Sequence, residues 1–377
     1  MPRPRTTRQK SAPGWPADTQ LVGLTLQLQP YADSTLYPQY TIGLHAWLLD
    51  QVRQMNPELS AYLHDGESEK PFTISALQGV EIAPGGSPRV SGDRTYAWTI
   101  TALSQPVVAW LADWLRQPPS EIELRGAPLK ILDWGLTNPT HPPTTYAQLR
   151  DVEIPSHPAI ALSFLSPTSF RRHKHHFPLP VPTNVFHSYL RRWNDFSGME
   201  YDQEDFLAWI DESVIITRHH LQSVKTVAGK RGSVTGFTGA IELGLSKIAL
   251  ENSEYVQLFM ALGRLAPYCG TGHKTTFGLG QTRLGWSPAA AEVPQSTLQD
   301  LLAQRIAALT EHFLAQRKRT GGERARAIAE TWATVLARRE LGESLQDIAE
   351  DLGLRYETAK TYAKLARKAA ETVSQSA

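Results

Sequence analysis

Period-two and period-3.6 apolar patterns interleave over most of this chain and give way to purely helical spacing near its end, which limits the folds open to it. Val22, Leu24, Leu26 and Leu28 alternate with smaller or polar residues, the pattern of a half-buried strand. Ile42, Leu44, Leu48, Leu49 and Val52 then recur at helical spacing over Thr41 to Met55, and this helix ends before Asn56-Pro57, as proline requires. A short helical segment (Glu58 to Leu63), the strand-like PFTISAL (71–77) and an alternating run from Arg94 to Ala102 follow. Val107 to Leu115 reads as a helix, and Glu121 to Leu124 and Lys130 to Leu136 read as strands. Strand, helix, strands, helix, strand is the order of a ferredoxin-like domain, with its helices on one face of an antiparallel sheet. We assign it residues 21–155.

Residues 156–286 repeat this element order without a detectable sequence repeat. Ile160 to Leu165 is a strand, Asn184 to Trp193 a helix, and Ser213 to Thr226 and Ser233 to Gly244 are strands joined as a hairpin through Gly229. Ser253 to Leu265 is a helix that Pro267 should end, and Thr282 to Trp286 is a last strand. The expectation is an α+β chain of two tandem ferredoxin-like (RRM-like) domains. Residues 1–20, rich in Pro and without periodicity, read as a flexible tail, and 287–295 as a linker. Residues 296–377 carry only helical spacing and form a separate all-α domain. Its end, 343–369, reads as a helix-turn-helix. Ser344 is the N-cap, Gly353 the stop, and Leu345, Ile348, Leu352, Leu354, Tyr362 and Leu365 the shared core.

Lys and Arg number 38 and Asp and Glu 37, so the formal net charge of +1 does not itself point to a polyanion. The distribution does. Three stretches, 155–194, 213–240 and 255–291, contain no acid, and the acids cluster between the first two, from Asp195 to Glu212. Arg171, Arg172, Lys174, Arg218, Lys225, Lys230 and Arg231 lie in the first two, with His173, His175, His176, His187, Arg191 and Arg192 nearby. Such segregation fits a polyanion-binding face. The RRHKHH run lacks Cys, Asp or Glu beside it, so its histidines fit phosphate contact better than metal ligation. A single cysteine, Cys269, forbids an internal disulfide and fits a reducing compartment. Without a membrane-length apolar run or a secretory signal, the expected location is the cytoplasm, with no membrane partner.

The sharpest motif is GTGHKTTFGLG, 270–280. Its four glycines, Gly270, Gly272, Gly278 and Gly280, let backbone approach a phosphate closely, while His273 and Lys274 add side-chain donors. It is neither a dinucleotide fingerprint nor a Walker A loop, since no strand precedes it and no helix follows. Spacing alone leaves a structural turn and a ligand loop equally open.

This loop before the last strand, the LH segment of the first helix, NPELSAYLHDGESEKPFTIS (56–75) and FLSPTSFRR (164–172) together resemble the CRISPR repeat-processing endoribonucleases of the RAMP superfamily, over about residues 21–286. The resemblance implies binding of the stem-loop repeat of precursor CRISPR RNA and metal-independent cleavage without a cofactor. A ribose 2′-hydroxyl attacks the adjacent phosphate, leaving a cyclic phosphate and a 5′-hydroxyl. That chemistry needs a base, an acid and a cation for the phosphorane charge. His64 and Lys70 occupy the family's His and Lys positions. Its helical Tyr is replaced by Leu49, so His45 on the same helix takes that role and pairs with His64. The resemblance also leaves open that the product stays bound, that other subunits of a CRISPR effector complex are partners, or that the chain is a non-catalytic RNA-binding subunit. A third reading makes the helix-turn-helix the working part of a regulator, with Arg355, Thr358, Lys360, Thr361 and Lys364 meeting nucleic acid. Cys269, without an acyl-transfer signature, reads as packed beside the loop.

Overall fold

The computed structural model describes residues 14–64, 69–82, 88–136, 140–172, 175–227, 233–287, 298–316, 322–341 and 343–371. The first unit runs β1 (Val22–Pro30), β2 (Ser34–Thr35), α1 (Tyr40–Met55), α2 (Pro57–His64), β3 (Phe72–Ile74), β4 (Glu81–Ile82), β5 (Pro88–Val90), β6 (Tyr96–Ala102), α3 (Gln105–Trp114), β7 (Glu121–Ile122) and β8 (Leu129–Gly135). Its main sheet has the order β3-β6-β1-β8-β7 and is antiparallel throughout. With β7 set aside, this is the ferredoxin-like order. The inward residues of β1, Leu24, Leu26 and Leu28, are fully buried under Leu44, Leu48 and Trp114 of the helices. β2, β4 and β5 form a small second sheet whose strands are too short to show a period in sequence.

The second unit is α4 (Tyr146–Arg150), β9 (Ala159–Thr168), β10 (Phe170–Arg172), β11 (His175–Phe177), α5 (Pro182–Phe196), α6 (Gln203–Ser213), β12 (Val214–Val227), β13 (Ser233–Leu245), α7 (Ser253–Cys269) and β14 (Thr282–Leu284). Its sheet order, β12-β13-β9-β14, is again ferredoxin-like. The short α4, β10 and β11 go beyond the sequence reading, and two further departures have a clear local cause. The acidic stretch after Asp195 contains α6: the Asp202 carboxylate caps it by accepting from the Asp205 amide at 2.8 Å, and Phe206 and Ile210 give it a buried face. Pro267 does not end α7, which continues to Cys269. It removes one amide donor two residues before the end of the helix, and the ladder resumes with Gly270 N–H donating to Ala266 O at 2.9 Å. Gly229 of the expected hairpin turn lies outside the described residues.

The last four helices are α8 (Leu298–Ala315), α9 (Glu323–Glu340), α10 (Leu345–Leu352) and α11 (Tyr356–Glu371); Leu302, Ile306, Leu309, Phe313, Ala333, Leu336 and Ala366 of α8, α9 and α11 form one core, with Val227 of β12 packed against it. Ser344 caps α10 as expected, and Gly353 ends it in the left-handed conformation. Leu365 is corrected: at 40% exposure it lies outside the core, and the small Ala359 and Ala366 face inward instead. The polar centre of this unit is Arg338. Its side chain is 0% exposed and bonds Glu343 (2.5 Å) and Asp351 (2.6 Å); Asp351 also takes a bidentate pair from Arg125 of the first unit at 2.5 and 3.0 Å.

Removing one partner of such a cluster leaves an uncompensated charge out of water. Arg338→Ala is therefore expected to destabilise the helical unit by about 3 to 5 kcal/mol, seen as a lower Tm in thermal unfolding of the full chain.

Candidate active site and nucleic-acid interface

The 270–280 segment connects α7 to β14, and its conformation explains its glycines. Gly270, Gly272, Gly278 and Gly280 have φ of 64°, 79°, 82° and 68°. A Cβ on residue 272 would stand 2.2 Å from Ser169 O, and one on residue 280 would stand 2.1 Å from Thr271 O. Neither backbone carbonyl can yield, so only glycine fits. The amides are largely used inside the protein. Those of Thr271, Gly272, His273, Gly280 and Gln281 donate to Gly280 O, Ser188 Oγ, Ser169 O, Pro167 O and Ser166 Oγ. The glycines thus shape the loop and seat it on the 166–169 segment, where the sequence suggested an amide cradle for phosphate.

What the loop presents is side chains. Lys274 is the only non-glycine residue with positive φ (62°) among the described residues, a conformation that persists only where its surroundings impose it. It faces a groove of about 350 Å³ with Lys70, Arg171, His187, Arg191 and Thr276. Burial holds the Lys274 ammonium below its usual pKa. Glu69 closes one side, pairing with Arg191 and, at 3.3 Å, with Arg192, which also donates to Gly272 O at 2.9 Å. The sequence places His187, Arg191 and Arg192 in a basic stretch without singling them out as contacts, and gives no role to Ser188. The signal was present, because all lie in the acid-free stretch 155–194 on one helix.

The histidines divide. His45 on α1 reaches the loop: its Nδ1 bonds Thr276 O at 2.9 Å, and its ring lies 4.4 Å from that of Phe277 and 5.9 Å from that of Phe72. A carbonyl can only accept, so Nδ1 carries the proton and the Nε2 of the neutral ring keeps its lone pair. His64 ends α2 with its side chain exposed, and its Nδ1 donates to Ser60 O at 2.8 Å, which fixes the same tautomer. The structure therefore brings His45 and Lys70 to the loop, while the resolved bond of His64 is to its own helix. Leu49, at the Tyr position, packs against the first core.

His273 turns inward, with Nδ1 donating to Ser169 O at 2.8 Å and its ring stacked on His176 at 5.0 Å. Burial pushes both below the usual histidine value, His176 to about 4. Cys269 is buried and its thiol pushed up to about 12 by burial, so it is no nucleophile. On the other side of the loop a larger hollow of about 490 Å³ opens between the two units, with His141 in its wall donating Nε2–H to Pro267 O at 2.9 Å.

Of the other expected RNA contacts, Arg218 is exposed on β12 with its guanidinium 3.8 Å over Trp286, away from the groove lining. Lys225 lines a separate polar cleft with His176, Arg326 and Glu330. Lys174, Lys230 and Arg231 lie outside the described residues, as does the Arg172 side chain. Arg355, Lys360 and Lys364 are exposed and Thr358 is half-buried on or beside α11. Among the described residues no group of three or more His, Cys, Asp and Glu could hold a metal ion, and no helix is long and apolar enough to cross a membrane.

Two ferredoxin-like units closed on a glycine-rich loop, with a histidine and a cationic groove beside it, form the framework of an RNA-processing nuclease. The CRISPR Cas6 N-terminal domain matches residues 22–112 and the CRISPR-associated endoribonuclease Cas6 matches residues 162–282, together more than half of the chain. The chain belongs to the Cas6 family and is a CRISPR RNA-processing endoribonuclease, the first of the readings left open by the sequence. Two Cas6 product complexes are 26% and 25% identical to it, with TM-scores of 0.57 and 0.58; each match covers 70% of this chain and 99% or 100% of the other. Thermus thermophilus Cas6 is 25% identical with a TM-score of 0.53, covering 71% of this chain and 99% of that one. No curated protein matches.

Two outcomes follow. Gly272→Ala must move the Ser169 carbonyl, so it is expected to reduce repeat-RNA binding at least tenfold, measured by filter binding. Burial disfavours the charged forms of His273 and His176 in the folded protein, whereas both protonate near pH 6.5 when unfolded. Their contribution is intact above that pH and is lost as pH falls below it. Thermal unfolding between pH 7.5 and 5 should show this loss in the natural chain and a flatter profile in His273→Gln.

Proposed function

We propose that this endoribonuclease cleaves the stem-loop repeat of precursor CRISPR RNA without a metal ion, by attack of a ribose 2′-hydroxyl on its own 3′-phosphate. The observation that carries the reading is the bond from His45 Nδ1–H to Thr276 O, which fixes an imidazole with a basic Nε2 against the glycine-rich loop. His45 and His64 form the acid/base pair. One Nε2 takes the 2′ proton as the O2′–P bond forms, and the other, protonated, gives its proton to O5′ as the P–O5′ bond breaks. The products are a 2′,3′-cyclic phosphate and a 5′-hydroxyl, with no proton gained or lost overall. Lys70 stabilises the phosphorane, where charge develops as the fifth oxygen binds.

Arg171, Lys274 and the acid-free strands around Arg218 and Lys225 grip the repeat through phosphates and shape, because the deep, narrow major groove of an A-form stem hides its base edges. The grip is the same before and after cleavage, since the scissile step removes no phosphate, and the product is retained. The cytoplasm is the site of action, and other subunits of a CRISPR effector complex are the partners that receive the loaded RNA.

Single-turnover cleavage of labelled repeat RNA in EDTA tests the mechanism: full activity is expected there. His45→Ala and His64→Ala should each slow cleavage about 10²- to 10⁴-fold with binding retained, and Lys70→Ala about 10²-fold. Unchanged cutting in both histidine variants overturns the assignment. Retention predicts that labelled product is not displaced by excess unlabelled product over many turnover times.

A further inference from the structure

The helices after residue 297 lie beyond the regions matched to Cas6, and the solved relatives are covered almost in full by 70% of this chain. Repeat processing as a family property therefore does not account for them. α10 and α11 have a fixed mutual geometry. Ser344 Oγ accepts from the Asp347 amide at 3.1 Å, Gly353 turns with φ of 64°, and Leu354 N–H donates to Ala349 O at 2.8 Å. Ile348, Ala349, Ala359 and Ala366 face inward. α11 packs on α8, α9 and α10, and none of the residues lining the RNA groove belongs to α10 or α11.

The outer face of α11 is basic. Lys360, Lys364 and Arg367, at i, i+4 and i+7, are all exposed on one stripe, and Arg355 is exposed in the turn before it. Glu357, on the same face, lies in the first turn, 3.8 Å from Lys360. Of the acids around α10, Glu343 and Asp351 are nearly buried and close on Arg338, while Glu350 is exposed. The second link of Asp351, to Arg125, holds the whole helix pair against the first ferredoxin-like unit. A rigidly mounted helix pair thus presents a cationic second helix to solvent.

We propose that α10 and α11 dock double-helical DNA, with α11 entering the major groove and Arg355, Lys360, Lys364 and Arg367 on the flanking phosphates. Shape chooses the nucleic acid. A helix about 10 to 12 Å across with its side chains fits a B-form major groove about 12 Å wide, whereas the A-form RNA major groove is too narrow to admit it. Three or four phosphate contacts make binding weak and strongly salt-dependent. This surface is independent of the histidine assignment, since no residue is shared.

The test uses the full chain and a labelled 30-base-pair DNA duplex, at 50 and 200 mM salt, with an RNA duplex of the same sequence as competitor. A triple variant, Lys360→Ala with Lys364→Ala and Arg367→Ala, should bind the DNA at least tenfold more weakly. It should lower the slope of log K against log salt by about 2.7, from roughly 0.9 per phosphate contact, and still cleave repeat RNA at the natural rate. A groove variant, Lys70→Ala with Arg171→Ala, should show the reverse. DNA binding unchanged in the triple variant, or lost in the groove variant, overturns the proposal, as does RNA duplex competing as well as DNA.

Discussion

The carbonyl of Ser169 sits where a side chain on residue 272 would begin, and most of the site depends on that approach. Ser169 O accepts from both the amide and the ring of His273, which anchors the loop to the segment between β9 and β10. Lys274 is held left-handed immediately beyond this anchor, and Thr276 turns its carbonyl back toward His45. The loop is a folded object whose interior bonds determine what it shows to solvent. What it adds to the groove is Lys274, projected from that frame beside Arg171 of β10 and Arg191 of α5.

The same loop and the helix before it join the two ferredoxin-like units. Thr73 and Thr101 of the first sheet donate to Tyr268 O, at 3.3 and 2.7 Å, and Tyr268 donates its hydroxyl to Pro142 O at 2.7 Å. Glu69, next to Lys70, crosses to Arg191 and Arg192 on α5. Each unit therefore supplies one side of the groove and a bond that fixes the other side. His45 and Lys70 come from the first unit and most of the cations lining the groove from the second, so neither half forms the site alone.

Long elements were legible in the sequence because burial on one face enforces their period. β1, α1, β6, α7 and the helix-turn-helix fall within a few residues of where alternation and capping put them. α6 was hidden because charge masked a two-residue apolar face, Phe206 and Ile210. The extension of α7 past Pro267 was hidden because helix rules penalise proline without saying that one missing donor near the end of a helix is tolerable. Leu365 was misplaced because apolar character alone was read as burial, whereas close packing of α11 selects Ala359 and Ala366. The glycine-rich loop was found by composition, but its role was not readable there, since composition cannot tell an amide offered to a ligand from one bonded to Gly280 or Ser169.

Tyr37 links features that have so far stood apart. Its ring lies 5.3 Å from the guanidinium carbon of Arg125, the residue that grips Asp351, and its hydroxyl fits against Gly43, where a Cβ would come within 2.2 Å. Gly43 is two residues before His45 on α1. The appended helices and the helix that carries His45 thus lean on one aromatic ring. A ligand that drew Asp351 away from Arg125 would alter the support of α1, and by thermodynamic reciprocity RNA that reset α1 would alter affinity for that ligand by the same factor.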